Sequence, residues 1–249
     1  GVFVYLIARG SKMGERQMAM AKQQEVQAKE YIREAAGAVG PATELARLND
    51  LRKEGVIDDA EFAAASVTYG VALLDVRRPR NKTDLRMFSG RIDSVTCPRI
   101  AVLGTDGAIG KRTTSVVLAK ALNDAGIKTV LVGTGQTSII QGARYGIALD
   151  AIPAQFCAGE MEAAVVEAWE AEHPEVIIIE GQGALSHPAY LTSAYILRGS
   201  RPQAVVLQHA PKRNRLSDFG TLKTPTAASE INLIETFADT KVIGLTINH

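Results

Sequence analysis

Short apolar runs rich in β-branched residues recur along the chain: Val71 to Val76, Ile100 to Leu103, Thr129 to Val132, Val176 to Ile179, Ala204 to Leu207 and Val242 to Ile247. Segments of helical spacing lie between most of them, and Thr113 to Ala125, Glu160 to Glu172 and Thr226 to Ala238 each lead into a run. Strands alternating with helices in this order predict an α/β fold with a parallel sheet and crossover helices. Ligands of such sheets sit beyond the carboxyl ends of the strands, so those ends are where chemistry is expected.

Ahead of these runs the periodicity changes. Ala42 to Ala65 carries Leu45, Leu48, Leu51, Val56, Ile57 and Phe62 with a break at Glu54 and Gly55. This predicts two short helices in a hairpin, the second capped by Asp58 and Asp59. Met13 to Ala36, rich in Gln, Ala, Lys, Glu and Met, reads as a solvated helix. Gly1 to Ala8 is apolar and is closed by Arg9 and Lys12. Eight residues cannot span a bilayer, so the reading is the cytoplasmic end of a truncated membrane stem, with a short buried element as the alternative. The expected organisation is stem and solvated helix over 1–41, hairpin over 42–65, and an α/β domain over 66–249 truncated at both ends.

Composition supports a globular protein with a sizeable core: 249 residues, 46% of them hydrophobic and 22% charged. A formal net charge of +1 with short basic runs gives no nucleic-acid surface. Cys97 and Cys157 are far apart, outside any metal-ligand spacing and without a histidine nearby in sequence. Two free thiols in a reducing compartment follow, hence a cytoplasmic protein, tethered to the inner face of the membrane where the stem reading holds.

The strongest chemical signal is the run from Ile100 to Leu103 followed by Gly104-Thr-Asp-Gly-Ala-Ile-Gly110-Lys111-Arg-Thr113. A glycine-spaced turn between a strand and a helix lets backbone N–H groups surround a phosphate, with the helix dipole and Lys111 adding positive charge. Gly104, Thr105, Gly107, Gly110, Lys111, Arg112 and Thr113 are the expected phosphate contacts. Five residues separate Gly104 from Gly110 where four are usual, and Arg112 occupies the place of the magnesium-binding Ser or Thr. Thr113 and Asp106 are then the substitute metal ligands if ATP and magnesium are used, and Asp106 is also placed to activate a substrate.

Other strand ends supply the remaining groups. Glu180 closes Val176 to Ile179, a position suited to a phosphate-bound magnesium or its water, or to a catalytic base. Gly135 and Gln136 suit close backbone approach to a cofactor. Gln182 and Ser186 offer hydrogen bonds to a substrate, and His187 is a candidate acid or base. His209, Lys212 and Arg213 concentrate positive charge for a carboxylate or second phosphate. Asn248 stands where nucleotide folds present an amide to a base edge.

Two resemblances add to this. Glu44 to Phe62 resembles the bacterial short C-terminal helical domain, often preceded by a membrane stem like Gly1 to Lys12; it implies oligomerisation or protein contacts and no chemistry. From Gly70 onward the chain resembles the D-glutamate N-acetyltransferase-like family, through Leu74 to Pro79, Cys97 to Ile100, Gly104 to Thr114, Gly133 to Thr137, Ile179 to Tyr190 and Thr246 to His249. That resemblance implies a P-loop NTPase-type fold and transfer of acetyl from acetyl-CoA to the amine of D-glutamate. Gly107 stands where the family often has a cysteine, which speaks against a thiol mechanism. The helical hairpin stands where the family has another N-terminal domain. Gly104-Thr-Asp with Gly110-Lys111 is also similar to dethiobiotin synthetase, an ATP-dependent ligase.

The leading expectation is an acetyltransferase in which Glu180 or His187 takes the proton of the attacking amine. An ATP- and magnesium-dependent kinase or ligase acting on a carboxylate is the second. A membrane-tethered interaction protein with a vestigial nucleotide fold is the third. The expected partners are a small-molecule substrate and a second copy of the chain.

Overall fold

The computed structural model describes residues 3–4, 41–68, 73–74, 76–77 and 79–248. The stem over Gly1 to Lys12 and the solvated helix over Met13 to Ala36 therefore lie outside the described residues, apart from Phe3–Val4, which pairs in parallel with Leu73–Leu74. Among the described residues no helix is long and apolar enough to cross a membrane. The chain divides into two compact units, Gly1–Arg77 and Arg78–His249.

In the first unit, helices α1 (Pro41–Lys53) and α2 (Asp59–Thr68) form the expected hairpin. Leu45, Leu48, Ile57 and Phe62 make its core. Gly55 takes φ +76°, a left-handed turn that ends α1. Asp58 opens α2 with a reciprocal cap: its Oδ1 accepts from Glu61 N at 2.8 Å, and its own N–H reaches Glu61 Oε2 at 3.0 Å. Phe62 and Ser66 lie one helical turn apart on a buried face, the Ser66 hydroxyl bonds Ala63 O, and α2 runs on to Thr68.

The second unit is built on six parallel strands: β1 (Arg99–Gly104), β2 (Thr129–Gly133), β3 (Tyr145–Gly146), β4 (Val176–Glu180), β5 (Ala204–His209) and β6 (Lys241–Ile247). Their order is β3-β2-β4-β1-β5-β6, which places β1 and its glycine loop near the middle. Alternate residues separate the two faces. Val102 and Ile178 pack on α3 (Lys111–Asp124) through Ala119, Leu118 and Leu122. Ala101, Leu103, Ile177, Ile179, Val205 and Leu207 face the larger cluster, which holds α5 (Ala154–Glu172), α6 (Thr192–Ser200) and α7 (Ala227–Phe237). β3, α6 and α4 (Gln136–Ile140) had no sequence signal, because they are too short to show a period.

A segment with two 3₁₀ turns precedes β1 and straps the second unit across α5. Glu162, buried in α5, accepts from Ser89 N at 2.7 Å, Ser89 Oγ at 2.9 Å and Ile92 N at 3.1 Å. Glu160 pairs with Arg86 at 2.8 Å. Gly159 makes this approach possible, since a Cβ there would lie 2.2 Å from Arg86 O.

Candidate functional site

The glycine loop leaves the carboxyl end of β1 and enters α3. Gly110 holds φ +100° at the helix entrance and Ala108 also has positive φ, so the chain turns sharply just before the helix begins. Gly104 is required by crowding: a Cβ there would meet Lys111 Cδ at 2.9 Å and both Gln208 O and Ile109 Cδ1 at 3.0 Å. Lys111 folds back across the loop and its Nζ donates to Asp106 O. Its side chain is almost wholly buried, and that burial lowers its pKa to about 8, with Asp106 and Glu180 opposing the shift and Arg213 adding to it.

Four other segments brace the loop. Thr105 N donates to Gln208 O at 3.1 Å, and the Thr105 hydroxyl meets His209 Nδ1 at 2.9 Å. Gln208 is sealed beneath the loop, where its Oε1 accepts from Thr114 Oγ1 at 2.6 Å and Thr246 Oγ1 at 2.7 Å. Asn248 Nδ2 donates to Ile109 O at 2.9 Å, so that amide supports the loop backbone. Asp106 is fully buried: Oδ1 accepts from Gly107 N at 2.7 Å, and Oδ2 accepts from Arg213 Nη1 at 2.9 Å and Ser217 N at 3.0 Å.

Glu180, at the end of β4 beside β1, belongs to the same electrostatic cluster. Its Oε2 accepts from Ser138 Oγ at 2.6 Å and Thr134 N at 3.1 Å, so Oε1 keeps its acceptor capacity. Gln182 Nε2 reaches Thr134 O, and a Cβ at Gly135 would lie 2.9 Å from that nitrogen. Gln136 opens α4 in the same loop. Gly181 has no room for a side chain, since a Cβ would stand 2.1 Å from Val102 O.

The loop after Glu180 is held from behind by Glu230 of α7. Glu230 is buried; its Oε1 accepts from Leu185 N and from Ser186 N at 3.2 Å, and its Oε2 accepts from Ser186 Oγ at 2.6 Å. The Ser186 hydroxyl is thus engaged inside the fold. His187 is also buried; its ring stacks on Tyr190 with centroids 4.5 Å apart and lies 5.7 Å from Phe219. Its Nδ1 accepts from Ala189 N at 3.2 Å, which puts the proton of the neutral ring on Nε2, and Nε2 has no partner. His187 is therefore arranged to donate a hydrogen bond.

Three consecutive residues join this loop to the glycine loop. Ser217 N holds Asp106, Asp218 Oδ2 accepts from Tyr190 Oη at 2.8 Å, and Phe219 packs on His187. The rim of the sheet thus brings together Gly104, Thr105, Asp106, Gly107, Gly110, Lys111, Glu180, His209, Arg213 and Asn248. Lys212 is exposed and outside these contacts, and Thr113 is exposed one position beyond Arg112 in the first turn of α3. Both thiols are buried in the core, and burial raises their pKa, that of Cys157 to about 11. Protonated and enclosed, they are poor nucleophiles.

A strand, glycine loop, lysine and helix at the middle of a parallel sheet is the arrangement of a P-loop domain, and residues 86–249 match a family described as DUF1611, a domain of unknown function with a P-loop. The chain belongs to the DUF1611 family. A crystal structure of a DUF1611 family protein from Anabaena variabilis superposes with a TM-score of 0.66 at 30% identity, covering 79% of this chain and 55% of that one. Curated relatives named D-glutamate N-acetyltransferase occur in Pseudoalteromonas sp, 32% identical over 194 residues, and in Tritonibacter scottomollicae, 29% identical over 198 residues. These matches cover 76% and 77% of this chain but 56% and 57% of the relatives, so the chain spans about half their length.

Within this DUF1611 domain, sequence reasoning missed Gln208, Ser217, Thr134, Ser138 and Glu230. Gln208 and His209 do carry a local signal, a polar pair closing an apolar run. Glu230 carries none, because an acidic residue early in a helix is ordinarily read as favourable to the dipole.

Proposed function

We propose that the chain carries the phosphate-loop part of an N-acetyltransferase that moves acetyl from acetyl-CoA to the amine of D-glutamate or a similar amino acid. The observation that carries this reading is the pairing of the cationic glycine loop with Glu180, a buried carboxylate whose Oε1 remains available while Oε2 is anchored. The names of the two curated relatives support the reaction class and the substrate.

In this reading Lys111, Arg112 and the loop N–H groups hold the phosphates of acetyl-CoA. Glu180 Oε1 removes a proton from the substrate ammonium, because only the free amine attacks a thioester carbonyl. The amine nitrogen forms the new bond to the acetyl carbon, the carbon–sulfur bond breaks, and coenzyme A leaves with its thiol. His187 Nε2–H donates to the carbonyl oxygen as negative charge grows there, a contribution that ranges from about 10²- to 10³-fold for a single donor. Arg213 and His209 bind the carboxylates of the amino acid.

A thiol-release assay with acetyl-CoA and D-glutamate tests the reading. Release of coenzyme A that requires both D-glutamate and Glu180 is the expected result. Phosphate release from ATP and magnesium in the presence of a carboxylate, without thiol release, would replace the transferase by a ligase or kinase.

A further inference from the structure

The first turn of α3 carries Lys111 and Arg112 and no acidic residue. The positive end of a helix dipole disfavours cations, so this pairing is unfavourable unless an anion sits against it. A phosphate loop normally reduces the resulting ligand charge with magnesium, held by a hydroxyl directly after the lysine. Arg112 occupies that position. No carboxylate among the described residues pairs with it.

The neighbouring groups do not restore the missing ligand. Thr114 Oγ1 donates to Gln208 Oε1 at 2.6 Å and Ser115 Oγ donates to Lys111 O at 2.9 Å. Thr113 projects about 100° around the helix from residue 112. Asp106 is sealed, with both oxygens taken by Gly107 N, Arg213 and Ser217 N. Glu180 keeps Oε1 as an acceptor, and among the described residues no three His, Cys, Asp or Glu side chains are grouped to hold a metal. Arg213 is paired with Asp106 at 2.9 Å, so Lys111 and Arg112 are the loop cations left for the charge a divalent ion would otherwise neutralise.

We infer that this loop binds its phosphate-bearing ligand without a divalent cation, with the Arg112 guanidinium in the place of magnesium. The inference rests on the reading of the loop as a phosphate site, and it deepens that reading by defining the ligand state as the metal-free polyanion. A planar guanidinium bonds two phosphate oxygens at once, which a hydroxyl cannot do.

Calorimetric titration tests it with acetyl-CoA and, separately, with inorganic pyrophosphate, each in excess EDTA and in excess magnesium. The expected result is that the affinities agree within about twofold in the two conditions. Arg112→Thr, which installs the usual hydroxyl, should weaken metal-free binding about tenfold or more and regain part of it when magnesium is added. Loss of wild-type binding in EDTA overturns the inference and leaves acetyl transfer to its own assay. An Arg112→Thr variant as tight as wild type in EDTA also overturns it. Metal-free binding of pyrophosphate without acetyl-CoA keeps the inference and sinks the acetyl-CoA reading, whereas binding of neither probe in either condition overturns both.

Discussion

Lys111 is a cation kept in an unfavourable place. Its pKa of about 8 means that the ammonium is present at neutral pH but is held weakly. An anion must restore that proton whenever it binds above pH 8, so affinity for the proposed phosphate ligand should be flat below pH 8 and fall by up to about tenfold per pH unit above it. The sign for stability is opposite. Between pH 8 and the ordinary value of 10.5 the folded protein binds fewer protons at Lys111 than the unfolded chain does, so this residue makes stability rise with pH across that window. Titrations at a series of pH values, with thermal melts alongside, check both directions. Gly104→Ala should reduce anion binding by more than about tenfold, because the new methyl displaces the Lys111 stem, and should lower stability by about 1–3 kcal/mol. The glycine loop was legible in the sequence because its determinants are neighbours in the chain. The task of Asp106 was not, because Arg213 and Ser217 approach it from more than a hundred residues away.

Among the elements, α7 has an influence that its own sequence does not announce. Glu230 satisfies two backbone N–H groups and a hydroxyl of the loop that carries His187. Glu230→Ala leaves those donors unpaired inside the protein, at about 1–3 kcal/mol for each buried group. It should lower the melting temperature and reduce kcat for the proposed acetyl transfer, with a smaller change in the KM for acetyl-CoA. Full activity in a destabilised Glu230→Ala protein would show that the loop needs no clamp. The contact of α5 with α6 is similarly tight, since a Cβ at Gly199 would stand 2.4 Å from Ala158 O and 2.6 Å from Met161 Cβ. Gly199→Ala should cost about 2–3 kcal/mol in a urea titration with an unchanged m-value. Periodicity found the long elements, α3, α5 and α7, and the five longer strands of the main sheet. It was silent on α4 and on β3, which supply part of the rim but extend over too few residues to repeat. Of the expected strand from Val71 to Val76, the described residues Leu73–Leu74 pair with Phe3–Val4, outside the main sheet.

At the scale of the molecule, strand order makes the site. β1 lies between β4 and β5, so the glycine loop, Glu180 and the cationic stretch from His209 to Arg213 emerge side by side although about a hundred residues separate the first from the last. Parallel strands all deliver their carboxyl ends to one rim, and every loop there can add a group. The sequence could locate the ends of the five longer strands, but it could not show which groups would be spent on holding the loops. Ser186, Asp106 and Asn248 are engaged in that way, and Glu180 Oε1 and His187 Nε2 remain. The most direct measurement is a calorimetric titration of acetyl-CoA into the wild-type protein and into Lys111→Ala. Saturable binding that weakens about a hundredfold or more in the variant is the predicted result. Unchanged binding in Lys111→Ala, or binding of ATP with magnesium in preference to acetyl-CoA, would contradict the account.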